Sequence, residues 1–522
     1  MVLLTELFVA ALLGLLIYRA YRFATDRPSP NFPPGPPRLP LLGGYPFLLA
    51  LDYRHLHQAA ARLSQLYRSK LVGLYLGPLP AVIVNDYDTV REVLQRSDFD
   101  GRPDLFMARL RDEHFQRRGF FFTDGDSWRD QRKFFLKTLH QFGFGRRSPE
   151  AEADIQSGLE ELISLLRDGP AFEHERELVD PATGFALCPT VFFALYSNVV
   201  LRMLIGARLG REDQGVLFEV GKNSIAFHRG GDDYGMVLSY IPWIRHLFPK
   251  ASGYELLREV NKKANAVVLS LAQKVESSYD ENDMRCFIDA YIKEIRSGKT
   301  GGVSTGKDTF GFEYDQLVIG CADFLVPPLS AIPAMMCLIL ERLIQHPEVP
   351  EKMYRELTEV VGTSRLPTLD DRASLPYCEA VIREGLRLDT LVPSGIPHVA
   401  VKDTQLAGYQ IPKGTVIVNS LDYIHHQQEI FRDPDSFNPE RFLNSDGQLA
   451  LDLDKSVPFG AGKRVCAGEQ FARNGLFLAI TSLVQNFTFQ LPPGQGGPDL
   501  SQRATGVIRT TPDFRLKFVS RR

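Results

Sequence analysis

The chain has 522 residues, 44% hydrophobic and 24% charged, enough for about two to four average domains or one large one with a sizeable core. These proportions exclude collagen-like, mucin-like and disordered chains, and 60 basic against 63 acidic residues, a formal charge of −3, leave no global field for nucleic acid. The six cysteines (188, 286, 321, 337, 378 and 466) are too scattered for a secreted disulfide framework and read as reduced thiols in the cytosol.

Residues 2–18 are apolar apart from Thr5 and Glu6. As a helix they reach about 25 Å, just short of a ~30 Å hydrocarbon core. Arg19, Arg22 and Arg27 all follow the run, which by the positive-inside rule leaves the bulk of the chain cytosolic. A cleaved signal would carry a basic segment ahead of its apolar run, and none is present. Residues 1–27 therefore read as a retained membrane anchor with a basic flank. In residues 28–46, Pro28, Pro30, Pro33, Pro34, Pro36 and Pro37 fix the backbone and remove amide donors. This hinge is predicted to be a stiff, extended spacer that holds a folded body off the lipid.

The body, 47–522, reads as one mainly helical domain with minor β sheets. Residues 71–76 and 81–84 flank a Gly-Pro-Leu-Pro turn and predict a strand pair. From Tyr254, apolar residues at 256, 257, 260, 264, 267, 268, 271 and 275 predict an amphipathic helix, and 351–361 predicts another, closed by Gly362. Past Pro393 the pattern turns to short strands and loops rich in proline and glycine. The loop 298–307 matches most of a phosphate-binding G-x-x-x-x-G-K motif. Asp308, however, replaces the hydroxyl that binds magnesium, adds a repelling charge, and no clear strand precedes it, so no nucleotide site is expected there.

The strongest signal is Phe459, Gly462, Arg464, Cys466 and Gly468, in the spacing F-x-x-G-x-R-x-C-x-G. Glycines on both sides of a cysteine allow a tight turn and the close approach of a flat ligand. Amides in such a turn stabilise a thiolate, and Arg464 is placed to receive an anion. A buried structural cysteine is the competing reading of Cys466 taken alone. The full motif resembles the haem-binding loop of the cytochromes P450.

That resemblance extends from the proline hinge nearly to the C-terminus. Glu384 and Arg387, on one helical face, precede Arg441 and resemble the E-x-x-R helix and arginine segment of that family. It implies a structural charge network behind Cys466. Trp128 and Arg132 resemble the W-x-x-x-R helix whose indole and guanidinium reach haem propionates, and His398 lies where microsomal members place another propionate partner. The basic residues Arg129, Arg132, Lys133, Lys137, Lys463 and Arg473 would border the face that meets an acidic flavoprotein donor. The resemblance implies haem b, held by Cys466 as iron ligand and by Phe459, Trp128, Arg132, His398 and Arg464. It also implies electrons from NADPH through NADPH–cytochrome P450 reductase, with cytochrome b5 as a further partner. The expected setting is the endoplasmic reticulum membrane, with the catalytic domain on the cytosolic face. The general style is similar to microsomal members of the arthropod lineage.

One segment departs from the family. Counted back from His346 and Pro347, the oxygen-activating helix carries Ser330 and Ala331 where the family has an acid and a threonine. The acid–alcohol pair orders the water through which protons reach the reacting oxygen. Ala331 cannot do this, and Ser330 can only if its hydroxyl faces the iron. Pro327, Pro328 and Pro333 remove three amides and should bend or break an ordinary helix, although the family already distorts its helix here. Three readings follow: a monooxygenase using Ser330, a water chain or a substrate hydroxyl; a reductase-independent isomerase or dehydratase of hydroperoxides; or a low-turnover haem-dependent binding protein. By analogy of position the pocket draws on residues 120–122, 226–228, 325–329, 391–396 and 505–508. They are largely apolar, as a sterol or hormone, terpenoid, fatty acid or foreign compound such as an insecticide requires.

Overall fold

The computed structural model describes residues 2–145, 147–229, 232, 234, 237–298, 311–495 and 503–521. The predicted phosphate-loop look-alike at 301–308 lies outside them. Helices make up about 54% of the chain, so the mainly helical reading with minor sheets holds.

The fold is organised around the helix Tyr314–Gln345, whose 32 residues are mostly buried. Helices Phe193–Ile205, Gly215–Arg229, Tyr254–Ser277, Pro376–Leu388 and Glu469–Asn486 all pack on it. It is apolar and long enough to cross a membrane, but its neighbours cover it and it is the core of the fold. Its prolines do not break it: the helix runs unbroken through Pro327, Pro328 and Pro333. Surrounding helices bury Pro328, Leu329, Ser330, Ile332 and Pro333, so tertiary packing holds the backbone where local hydrogen bonding is lost.

The strand pair predicted near residue 71 forms as Leu71–Leu76 against Leu79–Val84. It is extended by Val416–Asn419 and His398–Val399 into a four-stranded sheet, with Ala81 parallel to Val416. A second sheet joins Phe185–Cys188, Phe514–Ser520 and Phe487–Gln490. Helices appear where predicted at Tyr254–Ser277 and Glu348–Val360, the latter followed by Gly362 at φ +79.

Two expectations are corrected. The region after Pro393 is not only strands and loops, because Glu469–Asn486 is an 18-residue helix. It is buried on nearly every side from Asn474 to Gln485, so it shows no apolar stripe against a polar face. The proline segment, predicted as a stiff, extended spacer holding the body off the lipid, lies against the body itself. Gly73 N donates to Pro34 O at 2.9 Å, Asn31 donates to Gly408 O at 2.8 Å, and Phe32 is buried. The prolines lack donors but keep their carbonyls, and these dock the segment on the sheet. Ahead of it, Val2–Thr25 is one 24-residue helix, which at ~1.5 Å per residue rises about 36 Å and exceeds a hydrocarbon core.

Candidate active site

The cysteine loop is built by backbone constraints. Gly462 sits at φ +67, and a Cβ there would come within 2.1 Å of the Leu94 carbonyl, so only glycine fits both the turn and the contact. Cys466 N donates to Phe459 O at 3.0 Å, closing the loop, and helix Glu469–Asn486 starts immediately after it. The sulfur's exposure is to an internal cavity. Burial pushes the Cys466 thiol up, while the Gly468 amide and the Arg132 charge pull it down. A buried sulfur with an amide and a cation directed at it is set up for a metal cation, which would deprotonate it outright.

Behind the loop, the predicted charge network is present. Glu384 accepts from Arg387 Nε at 2.7 Å and Nη2 at 2.8 Å, from Asn438 N at 2.9 Å and from Arg441 Nε at 3.0 Å. The structure adds a link that the sequence did not reveal. Arg387 Nη1 donates to His425 O at 2.7 Å, and His425 Nε2 accepts from Val457 N at 2.9 Å, two residues before Phe459. His425 Nδ1 faces Thr390 Oγ1 at 2.7 Å, and burial lowers its pKa to about 3, so the ring is neutral and spans helix and loop. The network thus reaches the cysteine loop through one imidazole.

Beside the sulfur lies a group of cations with too few counter-charges. Trp128 and Arg132 occupy one face of helix Gly125–Gln141. Arg132 Nη2 donates to Val465 O at 2.7 Å, and the Arg464 guanidinium lies 3.4 Å from the Trp128 ring centre. Arg464 also donates to Asp100 O at 2.7 Å and Thr123 O at 2.9 Å. Arg102 joins them, donating to Ile396 O and Pro397 O at 3.0 and 2.9 Å. Arg102, which lacks any motif, was not legible in the sequence. Burial first, then Arg464 and Arg132, push Arg102 well down, and burial brings Arg464 to about 10. Trp128 Nε1, Arg464 Nη2 and Arg102 Nε are buried and find no acceptor among the described residues. Orphaned donors on clustered cations fit a ligand that brings its own carboxylates.

His398 adjoins this cluster. Its Nδ1–H donates to Phe99 O at 2.7 Å, and burial, Arg102 and Arg464 push its pKa well down. It can donate its second nitrogen to an anion only as an imidazolium, the form that a bound carboxylate favours. Phe459 packs its ring 4.8 Å from the Arg473 guanidinium. That contact corrects the expected basic face: Arg473 turns inward to Phe459 and Glu469, and Arg132 to Val465. Arg129, Lys133, Lys137 and Lys463 remain exposed, with Arg129 paired to Asp126 and Lys463 to Asp100.

Above the sulfur the cavity occupies about 380 Å³. Phe120, Phe121 and Phe122 line it, as do Phe227, His228, Val326, Pro327 and Pro328. Of the expected segments 391–396 and 505–508, Leu391, Val392, Gly395, Ile396, Val507 and Ile508 line it as well, and Pro393, Ser394 and Gly506 do not. Ala226, Leu325 and Leu329 do not line it, and Leu325 and Leu329 pack into the core. Ser330 and Ala331 both line it. Ser330 Oγ lies 3.1 Å from Val326 O and 3.3 Å from His228 Nε2, so its hydroxyl is shared between its own helix and the helix Gly215–Arg229.

The family model described as Cytochrome P450 matches residues 33–518. The chain belongs to the cytochrome P450 family. Among curated relatives, Cytochrome P450 2B19 of Mus musculus is 31% identical over 521 residues, covering 99% of each chain. Farnesoate epoxidase of Bombyx mori is 31% identical over 493 residues, 94% of each. Probable cytochrome P450 305a1 of Drosophila melanogaster is 31% identical over 532 aligned positions, 98% of each. Mammalian and insect members match at the same identity, which favours neither lineage. As a P450 the chain is a haem-thiolate oxidoreductase of the monooxygenase class, and its cofactor is haem b. The residues around Cys466 fit that group: a buried sulfur for the iron and orphaned donors for two propionates.

Proposed function

We propose that this P450 is a membrane-anchored monooxygenase that inserts one atom of dioxygen into a small lipophilic substrate. The observation that carries the reading is one cavity with the Cys466 sulfur, the orphaned donors of Trp128, Arg102 and Arg464, and an apolar wall. Cys466 would hold the iron, and Trp128, Arg132, His398 and Arg464 the propionates, with Phe459 packed beside them. Bound there, the haem supplies the redox centre at which dioxygen is reduced, and the thiolate's electron density favours O–O cleavage. Phe120, Phe121 and Val326 exclude water and orient the substrate by shape. Ala331 cannot order a proton-carrying water, so that role would pass to Ser330, a water chain or a substrate hydroxyl; Ser330 Oγ lines the same cavity, held between Val326 O and His228.

Several features support membrane attachment. Residues 1–27 act as the anchor, and Leu12, Leu15, Leu16, Ile17 and Tyr21 on that helix are exposed. Exposed Leu41, Leu49, Tyr53, Trp243 and Leu247 flank one hydrophobic cluster that contains Tyr45, Leu48, Tyr240 and Ile241, as a lipid-contacting surface requires. We place the chain at the endoplasmic reticulum membrane with its catalytic domain cytosolic. NADPH–cytochrome P450 reductase, assisted by cytochrome b5, would dock on the face holding Arg129, Lys133, Lys137 and Lys463.

Ala331 favours a second reading, a hydroperoxide isomerase that needs neither dioxygen nor reductase. The reduced, carbon monoxide-bound absorption spectrum tests the site. A thiolate-type Soret band that is lost in Cys466→Ala is expected, together with a spin-state shift on adding lipophilic compounds. A histidine-type band in the wild-type protein would overturn the assignment of Cys466.

A further inference from the structure

Away from the sulfur, the cavity wall carries a polar cluster where the helix Gly215–Arg229 meets the central helix. On helix Gly215–Arg229, Ser224 and His228 stand one turn apart on the face that lines the cavity, and Ser330 faces them from the central helix. His228 Nε2 lies 3.3 Å from Ser330 Oγ, and that hydroxyl also reaches Val326 O at 3.1 Å. A carbonyl only accepts. With the hydroxyl proton on Val326 O, Ser330 accepts from His228 Nε2–H and leaves Nδ1 a bare lone pair; with the hydroxyl turned to the ring, Nδ1 carries the proton. In both tautomers Nδ1 is buried with no partner among the described residues, and so is Ser224 Oγ. Buried polar atoms in this state are costly unless something in the cavity meets them.

The ring is also held in place. A Cβ at Gly506 would come within 1.4 Å of the His228 carbonyl, so the C-terminal segment clamps the backbone here and only glycine fits. Arg229, the next residue, donates to Thr511 O and pairs with Asp513 at 2.8 Å. Burial brings His228 to about 3, so the ring is neutral at physiological pH. The cavity's other cations each have a partner or belong to the cluster beside the sulfur. Arg111 is paired with Asp323 and Lys263 with Glu259, while Arg102, Arg132 and Arg464 belong to the propionate cluster. Arg111 Nη1, however, is buried and finds no partner among the described residues.

We propose that His228, braced by Ser330, is a specificity-determining anchor that holds a neutral oxygen function of the substrate, a hydroxyl or an ester or ketone carbonyl. The proposal rests on the reading of the cavity as the seat of a lipophilic substrate. A fixed, neutral imidazole able to present either a donor or an acceptor suits alcohols and carbonyls equally, and gives a hydrocarbon nothing to pair with. Preorganisation by Gly506 and Ser330 means that little ordering is required when the substrate binds.

The test is equilibrium dialysis of the haem-loaded protein with radiolabelled dodecane, dodecanol, methyl laurate and laurate, each probe compared between variants so that its solubility cancels. His228→Leu is expected to weaken dodecanol and methyl laurate about tenfold, the loss of one buried hydrogen bond, and to leave dodecane unchanged. Ser330→Ala is expected to weaken the same two probes by a smaller factor, and His228→Asn, which keeps a polar atom near Nδ1, to retain most of the affinity. The carbon monoxide spectrum checks that each variant holds haem; if His228→Leu does not, Ser330→Ala and His228→Asn carry the comparison. Equal changes for all four probes, no change for any, or a selective loss of laurate would overturn the anchor. Failure of every probe to bind the wild-type protein would instead overturn the lipophilic-cavity reading beneath it.

Discussion

Replacing Glu384 by glutamine keeps the side chain's shape and removes its charge, which isolates what that charge does. Glu384 and Arg387 are both 0% exposed and Arg441 is 9% exposed, so solvent cannot screen the two guanidiniums once the carboxylate is gone. The carboxylate accepts from Arg387 twice, from Arg441 and from Asn438 N. In Glu384→Gln one of its oxygens becomes an NH2 group pointed at N–H donors. Breaking a buried pair from one side costs about 3–5 kcal/mol, against ~5–15 kcal/mol of total stability for a native protein. Because Arg387 continues through His425 to Val457, the loss falls on the loop that presents Cys466. The control is Glu177→Gln, which breaks the exposed Lys222–Glu177 pair of 2.8 Å and is expected to cost under ~1 kcal/mol. Haem content after purification and chemical denaturation followed by the Soret band compare the two. A Glu384→Gln protein with full haem and a midpoint indistinguishable from Glu177→Gln would refute the argument that the network fixes the loop.

Other expectations are equally open to measurement. His425 has a folded pKa of about 3 against 6.5, so the unfolded chain binds the extra proton; its contribution is complete above pH 6.5 and is lost as pH falls toward 3. Between pH 6.5 and 5 that loss is roughly 2 kcal/mol, and denaturation of wild type and His425→Gln at the two pH values should differ by about that much; equal pH slopes would contradict it. Arg464→Leu removes an orphaned charged donor and is expected to weaken haem retention about 10- to 100-fold in a transfer assay to apomyoglobin. Ala331→Thr restores the alcohol of the family's pair and should raise product formed per NADPH consumed, whereas Ser330→Ala should lower it. An unchanged ratio in both variants would remove Ser330 from proton delivery.

The parts of the site legible in the sequence were those carried by local spacing. Cys466 and its glycines form a turn within a few residues, and Glu384 and Arg387 share one helical turn. His425 and Arg102 were hidden because they act through backbone groups far away in the chain, the amide of Val457 and the carbonyls of Ile396 and Pro397, and no spacing encodes such contacts. Helix Glu469–Asn486 was hidden for the opposite reason: burial on every side erases the periodicity that marks a half-exposed helix. The prolines of the central helix and of the N-terminal segment were read from local backbone rules. In both places tertiary contacts decided the outcome, through five packed helices in one case and docking on Gly73 and Gly408 in the other. The inward turn of Arg132 and Arg473 likewise depends on Val465 and Phe459 being close in space.

The most direct measurement is a paired conversion assay on the holoprotein in lipid discs. One arm supplies NADPH, reductase and isotopically labelled dioxygen with pooled sterols, terpenoids and fatty acid esters; the other is anaerobic, without reductase, and supplies hydroperoxides of the same lipids. A monooxygenase working without the usual threonine gives products carrying one labelled oxygen in the first arm. Rearranged products in the second arm, with no label incorporated in the first, would contradict that reading and make Ala331 the mark of an isomerase.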